Sequence, residues 1–330
     1  MSAPSEKKPG SVITDLFGSY RLSIVIFLIL ALVPVFARYG AEGFVLDLMN
    51  RAIILALAAI ALDLILGYGG MVSFGHAAFI GIGAYITAIM VTEGNGEALM
   101  IFPMVVVASA LFALITGIIC LRTSGVYFIM ITLAFGQMLF FAASSLSTYG
   151  GDDGLTIWGN VTILGSDIFA DDVAIFYISL GFLIAGLFLV QALVGSRFGR
   201  VLRAAKENET RVSALGYNVF RVRLTAYVIA GVIAGIAGFL HTSQAEFVSP
   251  ATMRWQHSGE LIIMVALGGM GTRNGALIGA LAYVLLIQVL SDFTHDWKLI
   301  FGPLMVIAVL AKNGGLGKFF DYVKGGGNRG

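Results

Sequence analysis

The chain has 330 residues, 58% of them hydrophobic and 12% charged, with a net charge of +1 and a mean hydropathy of +0.92. A soluble surface cannot be built from that composition, so water-soluble enzymes and nucleic-acid-binding domains are excluded and lipid is the solvent for most of the chain. The single cysteine, Cys120, rules out internal disulfides and, at the end of an apolar segment, reads as a packing group.

In lipid every backbone N–H and C=O must be satisfied internally, and apolar runs of roughly 17–25 residues fit helices rather than barrel strands. The expected fold class is an all-α integral membrane protein, one transmembrane domain over 1–330 with about ten transmembrane or partly re-entrant helices. The tail 1–20 carries Lys7 and Lys8, and Arg21 leads into an apolar run ending in Val35-Phe36-Ala37. That pattern imitates a signal peptide, but the run is long for one, and retaining it gives a consistent topology. Candidate spans fall at 22–37, 43–66, 71–91, 99–120, 126–146, 173–194, 224–242, 259–270, 275–291 and 298–311. The pieces 259–270 and 298–311 are shorter than the ~20 residues of a straight crossing, and 259–270 is a candidate half-helix.

With the amino terminus in the cytoplasm, cytoplasmic segments hold sixteen of the twenty Lys and Arg residues, and outer loops hold only Arg38, Arg254 and Lys298. Both termini, including the tail 313–330, are then cytoplasmic. The loop 147–172, with Asp152, Asp153, Asp167, Asp171 and Asp172 and no base, faces outward.

Within the membrane, Asp47 and Arg51 are spaced for a mutual helical pair. Asp63 has no partner in sequence; near the cytoplasmic end of its helix it is expected to be wet and is a candidate for the translocation path. Ser258 and Glu260 are expected to cap a short helix. The run Gly67-Tyr68-Gly69-Gly70-Met71-Val72-Ser73-Phe74-Gly75-His76 is too glycine-rich for a sound helix. Unwound backbone at membrane depth survives only where protein or a water-filled path covers it. Gly69, Gly70, Ser73, Gly75 and His76 are therefore the other pathway candidates, with Ser73 and His76 on one helical face. Close helix packing explains the glycines equally well. Scattered His241, His257 and His295 give no metal-ligand spacing. Gly69-Gly70-Met71 is echoed by Gly268-Gly269-Met270, each before a Gly/Ala-rich helix, a weak sign of an internal repeat.

The segment 195–223 carries seven basic and two acidic residues and is amphipathic when wound as one helix. Arg203, Lys206, Glu207 and Arg211 supply its polar face; Val201, Leu202, Ala205, Val212 and Leu215 are free to meet a protein or the membrane. Gly216 suits a helix stop. The bases serve either a soluble partner that levers the bundle or anionic headgroups. Gly314-Gly315-Leu316-Gly317-Lys318-Phe319 lacks the hydroxyl residue and first glycine of a phosphate loop, and no catalytic motif is present.

Four blocks in order, GYGGMVSFGHAAFIGIGAY at 67–85, GRVLRAAKENETRVSALGYNVFRVRLTAYVIAGVIAGIAGFL at 199–240, SPATMRWQHSGELIIMVALGGMGTRNGALIGA at 249–280 and WKLIFGPLMVIAVL at 297–310, closely resemble the branched-chain amino acid ABC transporter permease family, its LivM-like subunit. The resemblance implies a bacterial inner-membrane permease that pairs with a LivH-like permease, two cytoplasmic ATPase subunits and an extracytoplasmic substrate-binding protein. It implies no cofactor in this chain, ATP and Mg being bound by the partner subunits. It also makes 199–216 the loop that docks on the ATPases, with Arg203, Ala204, Glu207, Ala214, Leu215 and Gly216 as coupling contacts. His257 and the Lys312–Leu316 turn depart from the family pattern. Urea, amides or other small polar metabolites are alternative solutes. A nucleotide-independent secondary transporter, with Asp63 as its ion or proton carrier, is the rival class.

Overall fold

The computed structural model describes residues 9–37, 42–293 and 299–303. Most of the expected span 298–311 and the whole tail 313–330 lie outside the described residues. The described chain is helical nearly throughout: α1 (Pro9–Ala37), α2 (Glu42–Asp63), α3 (His76–Thr92), α4 (Ala98–Cys120), α5 (Val126–Ser144) and α6 (Asp172–Gly195) are followed by α7 (Arg197–Glu207), α8 (Glu209–Ala214), α9 (Val219–Ala245), α10 (Trp255–Gly268) and α11 (Gly275–Phe293). Among the described residues six helices are long and apolar enough to cross a membrane: α2 with its extension to Tyr68, α4, α5, α6, α9 and α11. Leu22–Ala37 and α3 are apolar but shorter.

Helix α2 is the axis. It is apolar on all sides, every residue from Ala56 to Tyr68 is buried, and α6, α9, α10 and α11 pack around it. By contrast, α4 and α5 expose most of their length, as helices on the rim of a bundle do. Cys120 is fully buried at the end of α4.

The most extensive helix contact joins α3 to α9. Gly231, Gly235 and Gly238 form a small-residue stripe on α9: a Cβ on Gly238 would strike the Ile80 carbonyl, and one on Gly83 the Gly235 carbonyl. With little hydrophobic force between helices in lipid, backbones that touch gain dispersion contacts unavailable to bulkier faces. The same device joins α10 to α11, where Gly279 lies against the Met264 carbonyl and Gly268 against that of Gly275.

At the end opposite α7, the 145–172 loop folds into a cap. Leu155–Thr156 (β1) pairs antiparallel with Phe247–Val248 (β2), the Glu97 carboxylate accepts the Leu164 and Gly165 N–H groups, and Phe169 packs edge-on against Phe239. Asp171 caps α6 through the Val173 N–H.

Gly238→Leu is expected to destabilise the detergent-solubilised protein by ~3 kcal/mol or more, because overpacking at a backbone contact cannot relax. Gly181→Ala, in α6 with open space around the added methyl, is expected to stabilise by about 0.5–1 kcal/mol. Thermal unfolding of both variants checks this.

Candidate functional site

The glycine-rich run is broken as expected. After Asp63 the chain enters a π-helical turn, Leu64–Tyr68, then leaves helical geometry from Gly69 to Gly75, with Gly70 at φ +70°. Helix resumes at His76. Ser73 is thus outside the helix, and the expected common face with His76 does not exist.

The unwound segment runs inward against α5 and α10. Phe74 N–H donates to Thr132 Oγ1 at 3.3 Å, and Gly75 lies against the Thr132 carbonyl and the Cα of Gly136. Thr132 is the seventh residue of α5, so α3 begins roughly 10 Å in from that end by helical rise. This accounts for the shortness of α3: an unwound strand covers the first part of the crossing.

Each freed backbone group needs a partner at that depth. Gly70 N–H and Met71 N–H return to the Leu66 and Ile65 carbonyls, closing the π turn. Ala77 N–H, orphaned at the start of α3, donates to Ser258 Oγ at 2.9 Å. The expected capping of α10 by Ser258 is therefore replaced by a cap across helices: α10 already begins at Trp255, and the fully buried hydroxyl serves α3 instead. Glu260 pairs with His257 Nδ1 at 3.0 Å.

Two further expectations change. Asp47 makes no ion pair with Arg51; its carboxylate accepts from Gln244 of α9 at 2.7 Å, a contact no local spacing could disclose. Asp63 is not wet. It is 3% exposed, and its Oδ1 accepts the Gly271 N–H at 2.9 Å. Gly271 belongs to the turn between α10 and α11, so the two echoed Gly-Gly-Met motifs bring their chain breaks side by side, with Gly67 directly against Gly271. That turn is also tied to α6, through Arg273 Nε donating to Gln191 Oε1 at 3.0 Å, and to α1, through Ser23 Oγ donating to Asn274 Oδ1 at 2.9 Å.

Of the pathway candidates, Ser73 and His76 are fully buried and Gly75 is buried. The His76 imidazole packs edge-on against Phe79, 5.6 Å between ring centroids. Gly69 and Gly70 line a cavity of about 140 Å³ with Met71, Thr123, Ser124, Lys206 and Arg223. The candidates gather around the break, and its glycine end opens onto this cavity.

The basic segment forms a hairpin rather than one helix. Asn208 ends α7 and caps α8, its Oδ1 accepting Arg211 N–H at 2.9 Å, and Gly216 at φ +87° follows α8. Leu202, Ala205 and Val212 are buried in the chain's own core instead of facing a partner, and Ala205 and Val212 pack with Val219. All six expected coupling residues, Arg203, Ala204, Glu207, Ala214, Leu215 and Gly216, are exposed, with Leu215 71% exposed and Tyr217 beside it 51%. Arg203 also donates to the Val194 carbonyl at 3.2 Å, fastening α7 to the end of α6. Arg223 bridges α8 and α7, its guanidinium meeting Glu209 at 2.7 Å and the Ala205 carbonyl at 3.3 Å. Lys206, expected only on a polar face, is exposed but turns its ammonium toward the bundle and donates to the Gly67 carbonyl at 2.7 Å.

Residues 44–310 match the family described as branched-chain amino acid transport system / permease component. The chain belongs to this family. It is a multi-pass inner-membrane permease, similar to the high-affinity branched-chain amino acid transport system permease protein LivM of Escherichia coli (strain K12), 26% identical over 90% of this chain and 74% of that protein. It also resembles the autoinducer 2 import system permease protein LsrC of Enterobacter sp. (strain 638), 28% identical over 87% of this chain and 83% of that one. The ribose import permease protein RbsC of Haemophilus influenzae is 22% identical over 82% and 84% of the two chains. No solved structure matches the permease.

Asp63→Ala is expected to cost ~1–3 kcal/mol, because it strands the Gly271 N–H in a dry site. Asp63→Asn keeps an acceptor oxygen and is expected to retain most of the stability. Thermal unfolding in detergent separates the two, and a carboxylate that serves as an ion carrier would instead show its loss in transport for both.

Proposed function

We propose that this permease subunit forms the translocation path of an ATP-driven importer together with a second, LivH-like permease, and that two cytoplasmic ATPases dock on the α7–α8 hairpin. The observation that carries this reading is the division of the hairpin into two faces. Its inner face is packed and hydrogen-bonded into the bundle, while Ala204, Glu207, Ala214, Leu215 and Gly216 stand outside with an apolar spot at Leu215 and Tyr217. Anionic headgroups would account for the exposed Arg197, Arg200 and Arg211, but not for an exposed leucine and tyrosine next to small residues. The excess of Lys and Arg on this side puts it in the cytoplasm, with the acidic 145–172 cap outside, where an extracytoplasmic binding protein delivers the solute.

Transport requires that ATP bind one arrangement of the bundle better than another, so that hydrolysis shifts the path between inward and outward access. The chain's own part is mechanical: it receives the ATPase motion on a rigid hairpin and offers a path that holds solute weakly. Branched-chain or similar amino acids are the proposed cargo, on the likeness to LivM over most of both chains. Imported sugars or sugar-like solutes are a second reading, supported by the likeness to LsrC and RbsC. Ligand binding by the partner binding protein decides between them. A gradient-driven transporter using Asp63 is disfavoured by the dry, hydrogen-bonded setting of that carboxylate.

Leu215→Asp, in the exposed part of the hairpin, is expected to leave the permease folded but to abolish copurification of the ATPases and ATP-dependent uptake in proteoliposomes. Uptake by this chain alone, driven by a sodium or proton gradient, would falsify the proposal.

A further inference from the structure

We infer that Lys206 is the positioning residue that carries motion from the hairpin to the break in the bundle, by holding the Gly67 carbonyl at the point where the two chain breaks meet. This deepens the reading above and rests on it.

Where α2 and its π turn end, the last carbonyls have no partner in their own helix and carry the negative end of the helix dipole. Two of them are satisfied locally: Ile65 O by Met71 N–H and Leu66 O by Gly70 N–H. The next, Gly67 O, is taken by the Lys206 ammonium at 2.7 Å. The lysine stem lies along Gly70, where an added Cβ would come within 2.8 Å of Lys206 Cγ; Gly70 also needs its positive φ, so glycine is doubly required there. Lys206 is thus a charged donor on α7 whose hydrogen bond reaches the broken segment.

Gly67 transmits what it receives. Any side chain on it would strike both Asp63 Oδ1 and Gly271 N, so the π turn and the α10–α11 turn are in backbone contact there. Asp63 fastens the same contact by accepting Gly271 N–H. Displacing α7 therefore pulls on one carbonyl that is coupled to both breaks at once, and these are the least regular backbone inside the bundle. On its other side α7 is held to α8 and α9 by Arg223, which meets Glu209 and the Ala205 carbonyl, so the hairpin moves as a unit. Lys206 is exposed, yet its ammonium is held on the carbonyl of a buried glycine, a partner that the positive-inside bias alone does not require.

The test uses the assembled complex of this chain with its partner permease, ATPases and binding protein in proteoliposomes, comparing wild type, Lys206→Met and Lys206→Arg. Lys206→Met keeps the stem but not the donor. It is expected to assemble and hydrolyse ATP, with solute moved per ATP reduced about tenfold or more, the factor carried by one charge-assisted hydrogen bond. Lys206→Arg, which restores a cationic donor, is expected to recover most of the coupling. Hydrogen exchange read on addition of ATP and vanadate supplies the second readout. Residues 64–75 are expected to respond in wild type and Lys206→Arg but not in Lys206→Met, while 199–216 responds in all three. Wild-type stoichiometry in Lys206→Met, or an unchanged response of 64–75 in it, overturns the inference and leaves the importer reading standing. A wild-type chain that shows no ATP-dependent uptake with these partners overturns the importer reading itself.

Discussion

Backbone hydrogen bonding away from water is the constraint on which the rest of this structure depends. A helix can be interrupted inside a membrane only if each freed N–H and C=O finds another partner. Here the interruption after α2 is repaired from four directions: by its own π turn, by Thr132 of α5, by Ser258 of α10 and by Lys206 of α7. Four separate parts of the chain are thereby committed to one short irregular segment, and their positions become interdependent.

The same interruption organises the packing. Because 69–75 has no helical bulk, α5 and the start of α10 approach it closely, and Gly75 and Gly136 remove the side chains that would hold them apart. The second break, between α10 and α11, meets the first at Gly67 and Gly271. Beside this node α3 joins α9 and α10 joins α11 through glycine contacts, while α2 packs through large buried side chains such as Leu57, Leu62, Leu64 and Ile65. Rigid, closely packed helix pairs thus flank backbone that is held by individual hydrogen bonds. That contrast suits the proposed exchange between two arrangements, since packed interfaces move as bodies and the irregular joints take up the difference.

Charge follows the same plan. The basic hairpin keeps its inner face apolar and spends two of its cations, Arg203 and Lys206, on carbonyls at the ends of α6 and of the α2 extension. Both placements oppose a cation to the negative end of a helix dipole. The outer face keeps Arg197, Arg200, Glu207 and Arg211 exposed, with small residues and an apolar spot at Leu215 and Tyr217. Family membership makes the chain a permease subunit, and the sided hairpin supports the proposed docking of separate ATPases.

Much of this was legible in the chain itself. Hydropathy placed the helices, because apolar runs of membrane length have no other low-energy state; glycine density located the break, because backbone that cannot hold a helix shows in composition; and four ordered blocks identified the family. Local patterns failed wherever a side chain had a distant partner. Asp47 bonds to Gln244 rather than Arg51, Ser258 caps α3 rather than its own helix, Asp63 is dry and bound to Gly271, and Leu202 and Val212 face inward. Lys206 is exposed as its pattern suggests, but its ammonium meets the Gly67 carbonyl. A sequence can show that a residue is polar, apolar or small, because those properties belong to the residue; which group it meets depends on elements more than a hundred positions away, and only the packed helices bring those together.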